Sequence, residues 1–167
     1  MLPEPERVYN GPIMNSAQLV IPEELLWLME EHVRSTFPRE ACGLLGGRSR
    51  RVTSVRPVLN IAPSDDRFRM EPAGQVHAIL AIEAAGDDLL AIYHSHPRGP
   101  DTPSEIDIKQ WRYPRALSLI WSRSSGTWSC RVFKHNLSAY AEAELILLHK
   151  APDESGSPSA NAGEDLS

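Results

Sequence analysis

The hydrophobic pattern of this chain divides it into short segments of two different periods. From Pro22 onward, Leu25, Leu26, Met29 and Val33 recur at helical spacing, and Phe37-Pro38 breaks the run. Cys42 to Gly47 and Arg51 to Leu59 read as two strands joined by a turn at Gly47-Arg48-Ser49-Arg50, and Asn60 to Asp66 reads as a loop around Pro63. A second helix is predicted from Pro72 to Ala85, with Val76, Ile79 and Leu80 on its apolar side and Gly86 just past its end. Residues 88 to 96 form the next strand. A short helix follows from Pro103 to Trp111, with Thr102 as N-cap, Pro103 at the first helical position and Glu105 completing a capping box. Ala116 to Trp121 and Trp128 to Phe133 then make a hairpin in which Trp128, Cys130 and Val132 alternate onto one face. Tyr140 to Leu148 fits either period: it alternates like a strand, yet its alanine, glutamate and leucine favour helix.

With 167 residues and 41% hydrophobic content, the chain can bury one ordinary core. The predicted organisation is an N-terminal extension over 1–18, one domain over 19–149 and an acidic tail over 150–167. The tail is rich in Pro, Ser, Gly and Ala, lacks aromatic residues and is expected to be disordered. It holds Asp153, Glu154, Glu164 and Asp165 without a compensating base from 151 onward, so four of the five net negative charges belong to it. No basic footprint marks a nucleic-acid partner. The first twenty residues contain no continuous apolar run, which argues against a signal peptide or membrane span and places the protein in the cytoplasm. Cys42 and Cys130 each sit in a strand-like run, where a small buried hydrophobe is expected rather than a disulfide.

The chemistry concentrates in Tyr93-His94-Ser95-His96-Pro97 and Ser104-Glu105-Ile106-Asp107. On a strand, His94 and His96 project to the same face roughly 6.6 Å apart, close enough for two imidazoles to converge on one ion. Pro97 ends ladder pairing and Arg98 to Asp101 turns the chain back over the strand end. Ser104 and Asp107, three apart on a helix, share a face. Asp107 can then be a third ligand, with the Ser104 hydroxyl beside the metal. Two nitrogens and one carboxylate leave a tetrahedral position open, which is the arrangement of a catalytic zinc site, with Zn2+ as the expected cofactor. Ser95 faces the other way and is assigned to packing or hydrogen bonding. His32, His77, His135 and His149 lack partners at ligand spacing, and Trp27 and Trp111 are expected in the core.

His-x-His, seven residues beginning with proline, and Ser-x-x-Asp together resemble the signature of the JAMM or MPN+ metalloprotease family. Its upstream glutamate matches Glu40, in Pro38-Arg39-Glu40-Ala41-Cys42-Gly43-Leu44-Leu45-Gly46-Gly47. The resemblance spans roughly Leu19 to Leu148 and favours a strand for Tyr140 to Leu148. The implied fold is an α/β domain with a mixed, curved sheet flanked by helices, layered as in cytidine deaminases. The implied activity is a zinc-dependent peptidase or isopeptidase, with His94, His96 and Asp107 holding the metal. Glu40 would act as general acid-base and Ser104 as oxyanion donor. The implied partner is a ubiquitin-like or sulfur-carrier protein, cut after its C-terminal Gly-Gly, whose extended tail is expected to pair with a sheet edge beside the zinc. Arg67 and Arg69 are candidates for binding an acidic C-terminus there. The alternative is a non-catalytic scaffold of the same fold. Deaminase and zincin signatures are absent from the sequence.

Overall fold

A computed structural model describes residues 17–150; all but the first residue of the predicted tail and nearly all of the N-terminal extension lie outside them. In chain order the elements are β1 (Gln18–Pro22), α1 (Glu23–Thr36), β2 (Cys42–Arg48), β3 (Arg51–Val58), α2 (Pro72–Ala84), β4 (Asp88–His96), α3 (Glu105–Gln110), β5 (Leu117–Ser124), β6 (Thr127–His135) and β7 (Tyr140–Leu148). The strands lie in the order β1-β3-β2-β4-β5-β6-β7. The sheet is mixed, with β4–β5, β1–β7 and β1–β3 parallel and the other pairs antiparallel. It curves far enough for β7 to pair with β1 over five residues and close the sheet. The ambiguous last segment is therefore a strand.

Antiparallel pairing matches Cys42 with His94 and Leu44 with Ile92, so these four share one face. Beneath α2 that face packs Cys42, Leu44, Val58, Met70, Ala78, Ile82 and Ile92 together. The opposite face carries Leu45, Ala91, Tyr93, Leu119, Trp121, Trp128 and Val132, packed with Met29 and Val33 of α1. The second set is the larger of the two clusters. The parallel β4–β5 pair requires a crossover, and residues 97–116 supply it; α3 lies in that crossover. The first histidine pair and the Ser-x-x-Asp segment are thereby joined at one end of β4.

Several expectations are corrected. Gln18–Pro22 is a strand before the first helix, and its short run carried no strand signal strong enough to separate it from the helix start. Trp27 is not in the core: it is 61% exposed on the outer side of α1. Helix α2 buries Ala78 and Ile82, while Val76 and Leu80 are 56% and 54% exposed, because the helix is apolar nearly all round and periodicity cannot choose its inner side. Gly86 does follow α2 with φ +70°. Two hairpin turns place Ser49-Arg50 and Ser125-Gly126 at positive φ, the handedness that matches strand twist.

Candidate metal centre

The last residues of β4 alternate as a strand must. His94 and His96 point to the α2 face, while Ser95 points away and its Oγ accepts from the Ala41 N–H at 2.8 Å. That bond joins the end of β4 to the residue after Glu40. His96 Nδ1 lies 2.7 Å from the Pro100 carbonyl, which can only accept, so Nδ1 carries the hydrogen and Nε2 presents its lone pair. The Phe68 ring stacks on His94 at 4.5 Å.

Helix α3 starts two residues later than predicted. Its N-cap is Ser104, not Thr102, and the capping box pairs Ser104 with Asp107 rather than involving Glu105. The Ser104 hydroxyl accepts from the Asp107 N–H at 3.2 Å, and Asp107 Oδ2 accepts from the Ser104 N–H and Oγ–H at 2.7 Å each. Capping and site building are thus one arrangement. The same Oδ2 stands 3.4 Å from His94 Nε2 and 3.3 Å from His96 Nε2, and the two Nε2 atoms are 3.0 Å apart. Ligands of one tetrahedral zinc, each about 2.0–2.1 Å from it, lie roughly 3.3 Å from one another. The donor set fits a divalent metal ion in both chemistry and spacing.

Glu40 reaches the same place from the α1–β2 connection. Only 5% exposed, it sets its Oε1 4.0 Å from His96 Nε2, and Glu40, His94 and His96 offer ligand atoms within 4.8 Å of one another. Either carboxylate could complete the set; the shorter distances favour Asp107 and leave Glu40 one step back. Burial pushes the Glu40 carboxyl up to about 8, with His96 pulling it down and Asp107 pushing it further up. Burial lowers His94. Burial would also lower His96, but hydrogen bonds to Asp107 and Pro100 with the Glu40 charge outweigh it and leave the group raised. Asp107 is held well below the usual carboxylate range: burial alone would raise it, and the two histidines and Ser104 more than reverse that.

Two cavities meet at this centre. One, of about 270 Å³, is lined by Glu40, His96, Ser104 and Asp107 with Arg67, Arg69 and Arg98 at its sides. The other, of about 290 Å³, is walled by Phe68, Met70, Ile92, Trp111 and Tyr113 and reaches His94. The expected sheet edge is not beside the histidines, because β4 is paired on both sides. Loop backbone from residues 62–69 and 97–104 walls the cleft instead. Of the remaining histidines, His32 bonds the Tyr93 hydroxyl at 2.8 Å, His149 lies 3.1 Å from Glu23, His77 is exposed, and His135 is buried against Trp111. Phe68, Pro100 and Asn60 also shape the site, and their roles arise from contacts between distant segments. Cys42 and Cys130 are both free thiols. No helix among the described residues is long and apolar enough to cross a membrane.

Residues 22–134 match the model of the family described as prokaryotic homologs of the JAB domain. The chain is similar to a probable TtuB-protein conjugate cleaving protease of Thermus thermophilus, with 42% identity over 59% of this chain and 68% of that protein. It is also similar to a desampylase of Haloferax volcanii, with 40% identity over 51% of this chain and 63%, less than two thirds, of the relative. A solution structure of a Desulfitobacterium hafniense protein superposes with a TM-score of 0.72 at 30% identity, covering 84% of this chain and 99% of that one.

Proposed function

Because this chain belongs to the family of prokaryotic homologs of the JAB domain, we propose that it is a zinc-dependent peptidase or isopeptidase. Its substrate is a ubiquitin-like or sulfur-carrier protein, cut at the amide after the C-terminal Gly-Gly. The observation that carries this reading is the convergence of His94 Nε2, His96 Nε2 and Asp107 Oδ2 within 3.0–3.4 Å, with the buried Glu40 carboxylate 4.0 Å from His96. Conjugate cleavage in the name of the Thermus relative supports the substrate class.

His94, His96 and Asp107 would hold the ion. When bound, it supplies Lewis-acid chemistry, polarising a carbonyl and bringing the pKa of water from 15.7 toward about 7. Glu40 faces the cavity shared with Ser104. There it takes a proton from the attacking water as the new C–O bond forms, and returns it to the amine nitrogen as the C–N bond breaks. The Ser104 hydroxyl, which points at Asp107 Oδ2, can turn about its C–O bond toward the substrate oxygen and stabilise the charge developing there. Burial of Glu40 and both histidines keeps bulk water from competing with these contacts.

The test is hydrolysis of ubiquitin-fold proteins whose C-terminal Gly-Gly is amide-linked to a second protein or to an amino acid, with zinc-loaded enzyme. Glu40→Gln should retain one zinc per chain and lose roughly 100- to 10,000-fold in rate. His94→Ala should lose the zinc. A Glu40→Gln protein that cuts every substrate at the native rate would overturn the reading.

A further inference from the structure

We propose that Asn60 is a positioning residue, which ties the backbone of Glu40 to the loop walling the cleft and so holds base and wall as one unit. The inference rests on the assignment of Glu40 as the base. Asn60 follows β3 and is buried. Its Nδ2 donates to the Glu40 carbonyl and the Arg67 carbonyl, each at 2.9 Å, and its Oδ1 accepts from the Ala62 and Arg69 N–H groups, each at 2.9 Å. A carboxamide has two hydrogens to donate and two lone pairs to accept with, and all four are used on main chain. The partners also settle its orientation, since exchanging oxygen and nitrogen would set donors against donors and acceptors against acceptors.

Three features show that this junction is built around the site and is more than a generic turn. The Asn60 main chain bridges to Met70, and the Ile61 N–H donates to the Arg69 carbonyl at 2.8 Å, closing the loop on itself. The Arg39 guanidinium, next to the base in sequence, donates to the Asn60 and Ala62 carbonyls. The loop so closed carries Phe68, stacked on His94. One side chain therefore links the strand entry that sets Glu40 to the wall that packs on a metal ligand. Aspartate cannot donate the two bonds, and serine cannot span them.

The test compares metal-loaded wild type, Asn60→Ser, Glu40→Gln and the double variant on a ubiquitin-fold protein joined through Gly-Gly to a lysine side chain. Limited trypsin digestion of each protein accompanies the kinetics. Asn60→Ser should keep one metal per chain and lose at least tenfold in kcat, a larger change than in KM. In the Glu40→Gln background it should cost less than a further twofold, because a residue acting through Glu40 has nothing left to position. Trypsin should cut after Arg67 or Arg69 at least tenfold faster once the loop is released. A full tenfold loss in both backgrounds, or an unchanged digestion rate, overturns the proposal. Native turnover by Glu40→Gln overturns the base assignment itself, and the digestion alone then decides the loop tie. If Asn60→Ser does not unfold cooperatively, Asn60→Asp takes its place, since it keeps the acceptor oxygen and loses only the two donors.

Discussion

Glu40 carries the clearest consequence at the scale of single residues. Burial pushes its carboxyl up to about 8 in the metal-free site, and His96 is also raised above its ordinary value. A divalent cation needs the imidazole lone pair and favours the carboxylate, so both protonated forms oppose it. The sign follows: metal uptake releases protons, and affinity climbs as pH rises toward about 8. Calorimetric titration in two buffers of different ionisation enthalpy should show net proton release at neutral pH, and affinity independent of pH from about 6 to 8 would contradict it. Burial acts on the thiols in the same direction. Burial pushes Cys42 and Cys130 up to about 12. Native protein at pH 8 should therefore resist iodoacetamide that modifies both cysteines in denaturant, as read by intact mass. The strand period alone puts His94 and His96 on one face, whereas Asp107 comes to them from the crossover, held by its capping box with Ser104. Glu40 lies 54 residues before His94 and no local period connects them, so only the family resemblance pointed to it. The role of Asn60 has no local pattern either: its four partners are backbone atoms, which sequence does not distinguish.

Elements were legible in kind more often than in facing. The strands β2 to β6 stand where alternation and turn residues put them, but α2 shows the limit of periodicity. Pro72, Ala73, Val76, Ile79, Leu80 and Ile82 surround it with apolar groups, and only packing against β2, β3 and β4 decides that Ala78 and Ile82 go in. The capping residue of α3 shifted because Ser104 and Asp107 satisfy each other's backbone, which Thr102 and Glu105 do not. Glycine at position 43 has a packing reason that sequence could not show. A Cβ there would run into the Tyr93 ring and sit 2.6 Å from the Arg56 carbonyl oxygen. Tyr93 adjoins His94 and is held by His32, so the ring cannot step aside freely. Gly43→Ala should cost about 1–3 kcal/mol, the usual range for an overpacked core. A thermal midpoint unchanged from wild type would show that β2 and β4 can separate at little cost.

At the scale of the whole domain, the metal would join segments that the sheet alone leaves weakly coupled. His94 and His96 end a central strand, whereas Asp107 rides on a six-residue helix with no buried residue of its own. That helix is held by its capping box and by Trp111 just beyond it, whose ring stacks on His135 at 4.4 Å. The crossover therefore has little apolar burial to fix it, and the ligand bonds would supply the missing constraint between α3 and β4. Glu40 and the cleft loop lean on the same centre through His96 and Phe68. A ligand that binds only the folded chain stabilises it by about 2.7 kcal/mol at a free concentration 100 times Kd. For a domain of this size that corresponds to a rise of roughly 5–10 °C in the unfolding midpoint. Chelator should remove the gain, and zinc in excess should restore it. The local signature is more discriminating than the midpoint. Amide exchange should slow most in residues 97–111 on metal addition, while β6 and β7, which contribute no ligand, change little. Uniform protection across all strands would mean that the ion stabilises the fold globally without specifically pinning the crossover. Protection confined to the crossover would identify α3 as the part of the molecule that metal binding completes.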